Sequence, residues 1–348
     1  MKAAIYKGKE NIVISEIPDP IINDGEILVK VSSVGVCPTD VKAYYFGSKS
    51  IKTPIILGHE VSGYVASSKN SKFKNGDRVN VAADNPCMKC SRCLRGLHNL
   101  CLNIQSLGVN INGGYSEYLA VPESFIKNGM VIKLSDKISF EDATFIEPTA
   151  VSIHAINLVA SEFLKKAVII GDGPNALIHL QIMKKLYKVE RVIVVGLSRE
   201  RLEIASKLGA NQVLNLNENK ESFSSLKEIG LDLVDITIGN REAMMEALEI
   251  SDVGTRFLIF GGSLNDTQIP LTMNDFHYKQ LVFAGSTGTN LHNYYRAAEL
   301  VNSGSMDFSS IVSKRFKLSD IIKAFEYSRD LKGLKGVIDF QIDQSDHM

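Results

Sequence analysis

The sequence has no tryptophan, no surplus of either charge and no long apolar run. The missing tryptophan decides nothing. The charge balance decides more. Lys and Arg number 39, Asp and Glu also 39, so the net charge is zero, whereas a nucleic-acid or anionic-membrane partner calls for a basic surface. No apolar stretch reaches the ~18 residues of a membrane helix, and the opening residues MKAAIYKGKENIVI are broken by charge too early for a secretory signal. The expectation is a cytoplasmic protein whose partner is a small molecule, with neither nucleic acid nor membrane. Cysteine is scarce too, at five residues, yet Cys87, Cys90, Cys93 and Cys101 fall within fifteen positions. In a reducing compartment such a cluster reads as metal binding rather than as disulfides.

What is present is a globular composition, 45% hydrophobic and 22% charged, in a chain too long for one ordinary core. Residues 1–150 read as short β segments, such as EILVKVSSVGV and VSGYVA, cut by Gly, Pro, Asn and Asp. From about residue 165 the rhythm changes. Apolar strands (KKAVIIG, RVIVVG, LVDITIG, RFLIFGG) alternate with helical segments, the pattern of a parallel doubly wound sheet covered on both faces. The fold class expected is α/β: a β-rich domain over 1–150, a Rossmann-type domain over 151–287, and a return to the first domain over 288–348.

Between the strand KKAVII and the following helix stands Gly171-Asp172-Gly173-Pro174-Asn175-Ala176, a G-x-G-x-x-A loop. Its first glycine allows a tight turn and its second lets backbone approach a pyrophosphate. Its small last residue lets helix and strand pack closely, and the helix N-terminus faces the anion. Placed at the first strand-to-helix turn of several alternating units, the loop predicts dinucleotide binding. The second strand should end in the Asp or Glu that binds the ribose 2′-hydroxyl of NAD. It ends instead in Gly196, followed by Leu197, Ser198 and Arg199. A glycine leaves room for a 2′-phosphate, to which Ser198 can donate and Arg199 can pair, so the sequence favours NADP over NAD.

Cys87-x2-Cys90-x2-Cys93-x7-Cys101 supplies four thiolates at tight spacing. A zinc ion takes four such ligands in a closed tetrahedron, which makes the lobe a structural zinc site. An iron–sulfur cluster and a nucleic-acid zinc module are the rivals, and the neutral charge speaks against the second. Arg92, Arg95 and His98 read as solvated surface around the lobe.

Taken together, GVCPTD (35–40), GHEVSG (58–63), GDRV (76–79), the cysteine lobe, GGYSEYLAVP (113–122), IEPTAVSIHA (146–155) and GDGPNA resemble the zinc-dependent medium-chain dehydrogenase/reductase family, in its alcohol, polyol and sugar dehydrogenase branch. The resemblance covers nearly the whole chain and implies a GroES-like catalytic domain beside the Rossmann domain. It also implies a second, catalytic zinc on Cys37 and His59, with Glu147 as third protein ligand and Glu60 as an alternate ligand or a residue just behind the ligands. Cys, His and carboxylate are competent zinc ligands, and three of them leave a fourth position open. The resemblance gives Thr39 the role of contacting the substrate hydroxyl and passing its proton outward. Lys42 stands where classical members continue that relay with histidine. Asp40 reads as a buried partner for an arginine. Gly261 and Gly262 are expected beside the nicotinamide, and Lys335 at the pyrophosphate. Tyr44, Ser48, Asn110 and Asn112 are polar candidates for the substrate pocket.

The function implied is hydride transfer between NADP(H) and an alcohol, polyol or sugar. The alternatives are an NAD-linked simple alcohol or threonine-type dehydrogenase, and a non-catalytic nucleotide-binding protein of the same fold. A homodimer or homotetramer is expected, because LVFAG (281–285) would make a poor exposed sheet edge.

Overall fold

The computed structural model describes residues 1–263 and 268–342. The chain forms two compact units: residues 1–150 with the segment from 289 onward, and residues 151–288.

The first unit begins with β1 (Lys2–Gly8) and β2 (Asn11–Glu16), which make a three-stranded sheet with β4 (Ile55–Ile56). A larger sheet takes β3 (Ile27–Gly35), β5 (Glu60–Ser68), β6 (Arg78–Val81), β9 (Tyr118–Val121) and β10 (Val131–Lys133) from the N-terminal segment. Two short strands, β7 (Asp84–Asn85) and β8 (Gln105–Ser106), pair with each other beside the cysteine lobe. The helices of this stretch are α1 (Pro38–Phe46), α2 (Glu123–Lys127), α3 (Phe140–Ala143) and α4 (Ile146–Asn157).

Two pairings in the larger sheet, both at Gly35, build one corner. β3 and β5 run antiparallel, and their ladder ends on the pair Gly35↔Glu60. Cys37 lies two residues past that pair and His59 one residue before it, so register alone brings the GVC and GHE motifs together. A Cβ on Gly35 would stand 1.8 Å from Glu60 Oε2, which is why glycine occupies that position. The chain returns at its C-terminal end with β17 (Val312–Phe316) and β18 (Lys335–Asp339), and β18 pairs with β3 through Val337↔Gly35. Lys335 therefore starts a strand next to the same corner.

The second unit is a six-stranded parallel sheet: β11 (Lys166–Ile170), β12 (Arg191–Gly196), β13 (Gln212–Asn215), β14 (Leu233–Ile236), β15 (Arg256–Ile259) and β16 (Val282–Gly285). The order is β13-β12-β11-β14-β15-β16, the doubly wound dinucleotide-binding order with its reversal beside β11. Helices α5 (Pro174–Lys185), α6 (Arg199–Lys207), α7 (Glu221–Ser224), α8 (Arg241–Glu249) and α9 (Met273–Lys279) intervene, and α10 (Leu291–Asn302) and α11 (Ile321–Arg329) belong to the returning segment. Val168, Ile193, Val195, Val234, Ile236 and Phe257 form the core of this unit. Strands buried on both faces need no polar alternation, and the wholly buried LVDI of β14 shows this. The doubly wound sheet expected from the sequence is borne out.

Candidate active site

Cys37 Sγ, a ring nitrogen of His59 and a carboxylate oxygen of Glu60 all lie within 4.8 Å of one another. Glu60 is 1% exposed. Behind His59, Asp40 holds Oδ1 3.4 Å from Nδ1, and Asp40 Oδ2 accepts a 3.0 Å hydrogen bond from the Tyr115 hydroxyl. With Nδ1 turned to a carboxylate, Nε2 is the ring nitrogen left for a metal, a usual arrangement around metal-bound histidine. Burial pulls the His59 pKa down, but the negative Asp40 and Cys37 outweigh it and hold it well above 6.5. Cys37, Asp40, Glu60, Asp84 and Glu147 thus crowd one region, which the buried ammonium of Lys335 shares. An acid-rich, partly buried corner of Cys, His and carboxylate donors fits a divalent cation.

The four lobe thiols form a second cluster within the same 4.8 Å limit, and none is in a disulfide. Cys101 Sγ accepts backbone N–H bonds from Cys87 (3.2 Å) and Asn103 (3.3 Å). Backbone donors, Leu102 first, bring the Cys90 thiol down to about 6, whereas burial first and neighbouring sulfurs second push Cys93 up to about 12. Four sulfurs this close cannot all ionise unless a cation sits among them, which is what a structural zinc provides.

Residues 23–134 match the alcohol dehydrogenase GroES-like domain, and residues 176–303 match the zinc-binding dehydrogenase family. The sorbitol dehydrogenase of Bacillus subtilis (strain 168) is 31% identical over 342 residues, covering 95% of this chain and 94% of that one. The chain belongs to the zinc-dependent medium-chain dehydrogenase family. An L-threonine 3-dehydrogenase of Bacillus velezensis is also 31% identical, over 328 residues, covering 91% of this chain and 92% of its own. The crystal structure of galactitol-1-phosphate dehydrogenase from Escherichia coli superposes with a TM-score of 0.84 at 25% identity, covering 97% and 100%. This dehydrogenase is thus a zinc-containing oxidoreductase with a GroES-like domain and a Rossmann-type domain. No helix among its described residues is long and apolar enough to cross a membrane.

Several residues expected at the site stand elsewhere in the dehydrogenase. It is Glu60, not Glu147, that groups with Cys37 and His59, because Glu60 follows His59 directly on β5 while Glu147 opens α4. Glu147 lines a small cavity next to this corner, and burial pushes its carboxyl up to about 7. Lys335 does not present a free ammonium for a pyrophosphate: it is buried, and its Nζ lies 2.7 Å from Glu60 Oε1 and 2.6 Å from Oε2. Oε2 nevertheless has no well-aligned hydrogen bond. Asp40 is buried as expected, but its partners are Tyr115 and His59 rather than an arginine. Thr39 is exposed on the first turn of α1.

The pocket candidates are mostly committed to the chain. Asn112 Oδ1 accepts from Ile56 N–H, and Asn110 bridges Ser106 and Ile104. Ser48 meets Ser50, and Tyr44 packs on Phe325. Two polar groups missed by sequence reasoning line the Glu147 cavity instead: Asp84 and His98. Asp84 accepts from Ser106 Oγ at 2.5 Å, and burial pushes its carboxyl up. His98 is half-buried rather than solvated. Its Nδ1 accepts from Leu291 N–H at 3.3 Å, which puts the proton of the neutral ring on Nε2. No spacing signal marks either residue, because the returning segment supplies the other wall.

The nucleotide loop has the expected shape. Gly171 sits at φ +126°, and a Cβ there would stand 2.2 Å from Thr237 Oγ1. Gly173 caps α5 with nothing within 4 Å of a Cβ position, and Pro174 opens the helix. Asn175 follows half-buried, and Ala176 is fully buried against the sheet. An open helix N-terminus with backbone donors fits a pyrophosphate. Gly261 packs against Ile238 and Gly239, where a Cβ would meet backbone at 2.4 Å, and Gly262 is open. The 2′-phosphate partners do not assemble as expected. Ser198 Oγ caps α6 by accepting from Arg201 N–H, and Arg199, 79% exposed, pairs with Glu203.

Proposed function

We propose that this dehydrogenase moves hydride between a nicotinamide dinucleotide and a hydroxyl-bearing carbon of a polyol, sugar or related alcohol. The observation that carries the reading is the convergence of Cys37, His59 and Glu60 beside a cavity lined by Asp84, His98 and Glu147. Cys37, His59 and Glu60 would hold the catalytic zinc, with Glu147 next to it. When bound, that ion supplies Lewis acidity at the substrate oxygen, and the hydride chemistry belongs to the nicotinamide.

The chain's own part is positional. Asp40 and Tyr115 fix the His59 ring. Lys335 offsets the charge of Glu60, whose carboxylate would otherwise be buried alone. Thr39, exposed two residues from Cys37, is assigned the role of taking the hydroxyl proton outward. Asp84 offers an acceptor and His98 an N–H donor, the pair needed to read a further hydroxyl.

The same lining bears on the threonine-type alternative. An amino acid brings an ammonium that Asp84 and Glu147 would attract as well as a carboxylate that they would repel, whereas a neutral polyol brings neither, so a substrate panel separates the two classes. The test is kcat/KM across polyols, aldoses, simple alcohols and L-threonine, with both dinucleotides. A tenfold advantage for L-threonine over every polyol would overturn the polyol reading. The choice between NADP, which Gly196, Ser198 and Arg199 favour as a sequence, and NAD turns on the end of β12.

The lobe carries a separate expectation. Cys90→Ser should lower thermal stability or assembly more than it lowers turnover per folded molecule, since structural zinc contributes directly to folding. Differential scanning calorimetry with active-site titration checks this, and an unchanged melting temperature and assembly state would remove the structural role.

A homo-oligomer is also proposed. Among the described residues β16 stands at the end of the sheet beside β15, and Val282 on it is 37% exposed, an edge that natural proteins usually cover. Sedimentation at micromolar concentration should show a dimer or tetramer, and a pure monomer would reject this.

A further inference from the structure

The second position of a G-x-G-x-x-A loop is unconstrained by the turn, yet here it holds an aspartate that is only 13% exposed. Asp172 crosses from the end of β11 to the end of β12. Its Oδ2 accepts backbone N–H bonds from Leu197 and Ser198, both 2.8 Å, and its Oδ1 lies 3.5 Å from Arg201 Nη1. The crossing is possible because β11 and β12 pair in parallel through Ile170↔Val195, which leaves residues 171–172 and 196–197 side by side at the same sheet end. Gly196 provides the room: a Cβ there would stand 2.5 Å from Asp172 Oδ2 and 2.6 Å from Asp172 Cβ. The strand that lacks a terminal carboxylate in sequence therefore has one in space.

We propose that Asp172 takes the place of the strand-end acidic residue, accepts the adenosine ribose 2′-hydroxyl, and selects NAD against NADP. The inference rests on reading the chain as a nicotinamide-dinucleotide dehydrogenase, and it deepens that reading. A 2′-phosphate would bring roughly −1.5 to −2 charges against a carboxylate that two amides fix in position. Arg201, the cation nearest that carboxylate among the ion pairs, already faces Asp172, and Arg199 is turned to Glu203 on the outer face of α6. A phosphate would have to separate Asp172 from Arg201 and still sit beside the stranded carboxylate. A ribose hydroxyl needs neither change, since it can donate to Oδ1 as the arrangement stands.

The experiment is equilibrium binding to the full-length protein, without substrate or turnover. NADH and NADPH are titrated by fluorescence, and 5′-AMP and 2′,5′-ADP by calorimetry. The parent should bind NADH at least about tenfold more tightly than NADPH, a difference of some 1.4 kcal/mol. Asp172→Asn should shrink that ratio by about tenfold or more. Asp172→Ala combined with Gly196→Asp, which moves the carboxylate back onto the strand, should restore it. A parent that binds NADPH as tightly as NADH or more tightly overturns the proposal, as does an Asp172→Asn protein whose ratio stays within about twofold of the parent. Should the substituted loop fail to fold, the parent's preference between 5′-AMP and 2′,5′-ADP decides alone, a preference for 2′,5′-ADP overturning it. Binding of neither dinucleotide by the folded parent would instead sink the dehydrogenase reading on which the proposal stands.

Discussion

Replacing His59 with alanine is expected to lower turnover by about 10³-fold or more and to reduce zinc from two ions per chain to one, while dinucleotide binding persists. Lewis-acid activation is worth several kcal/mol, and each 1.36 kcal/mol of barrier is a factor of ten in rate. The remaining ion should be that of the cysteine lobe, whose ligands form a separate cluster. The dinucleotide loop uses other residues, in the other compact unit, so cofactor binding serves as the internal control for folding. The same measurement separates the two glutamates. Glu60 shares the 4.8 Å cluster with Cys37 and His59, so Glu60→Ala should lose the catalytic ion. Glu147→Ala should keep the ion and still lose most turnover. Metal analysis alongside kcat checks both. An ion retained without Glu60 and lost without Glu147 would reverse the ligand assignment, and full activity in the His59 variant would end the zinc-dehydrogenase mechanism altogether.

The second large effect is expected far from the chemistry. His179 on α5 and Asp235 on β14 are both wholly buried, with Nδ1 2.6 Å from Oδ2. Among the described residues neither His179 Nε2 nor Asp235 Oδ1 has a hydrogen-bond partner, and the ring meets Phe260 edge-on at 4.5 Å. The pair is self-contained, so removing one member strands the other in an apolar core. His179→Ala should cost about 3–5 kcal/mol, the range for removing one partner of a buried ionisable pair. At about 2–4 °C per kcal/mol for domains of 150–250 residues, that is a fall of roughly 6–20 °C in the melting temperature of this unit. Replacing both residues, as in His179→Leu with Asp235→Val, should recover most of the loss, because no polar group is then left unpaired. Calorimetry of the two single variants and the double variant checks this. Additive losses would show that the two side chains contribute independently.

Much of this protein was legible before any contact was known. Whatever depends on neighbours in the chain could be read directly. The apolar runs of β11, β12 and β14 announced a sheet covered on both faces. The glycine loop between β11 and α5 announced an anion site. The four cysteines within fifteen positions announced a metal lobe, since ligand spacing that tight is itself geometry. Cys37 and His59 are different. Their spacing carries no metal signal, and only the resemblance to a family pointed to them.

The tertiary structure decided which distant residues share a place. The Gly35↔Glu60 end of the β3–β5 ladder put Glu60, ahead of Glu147, with Cys37 and His59. The start of β18 gave Lys335 to Glu60 rather than leaving its ammonium open. The walls of one cavity brought Asp84 and His98 together with Glu147. The parallel pairing of β11 with β12 carried Asp172 to a strand end that the sequence leaves without a carboxylate. The reason is the same in each case: local spacing fixes the conformation of a segment, whereas strand register fixes which side chains from remote segments meet, and a charge acts through space on whatever the register places beside it.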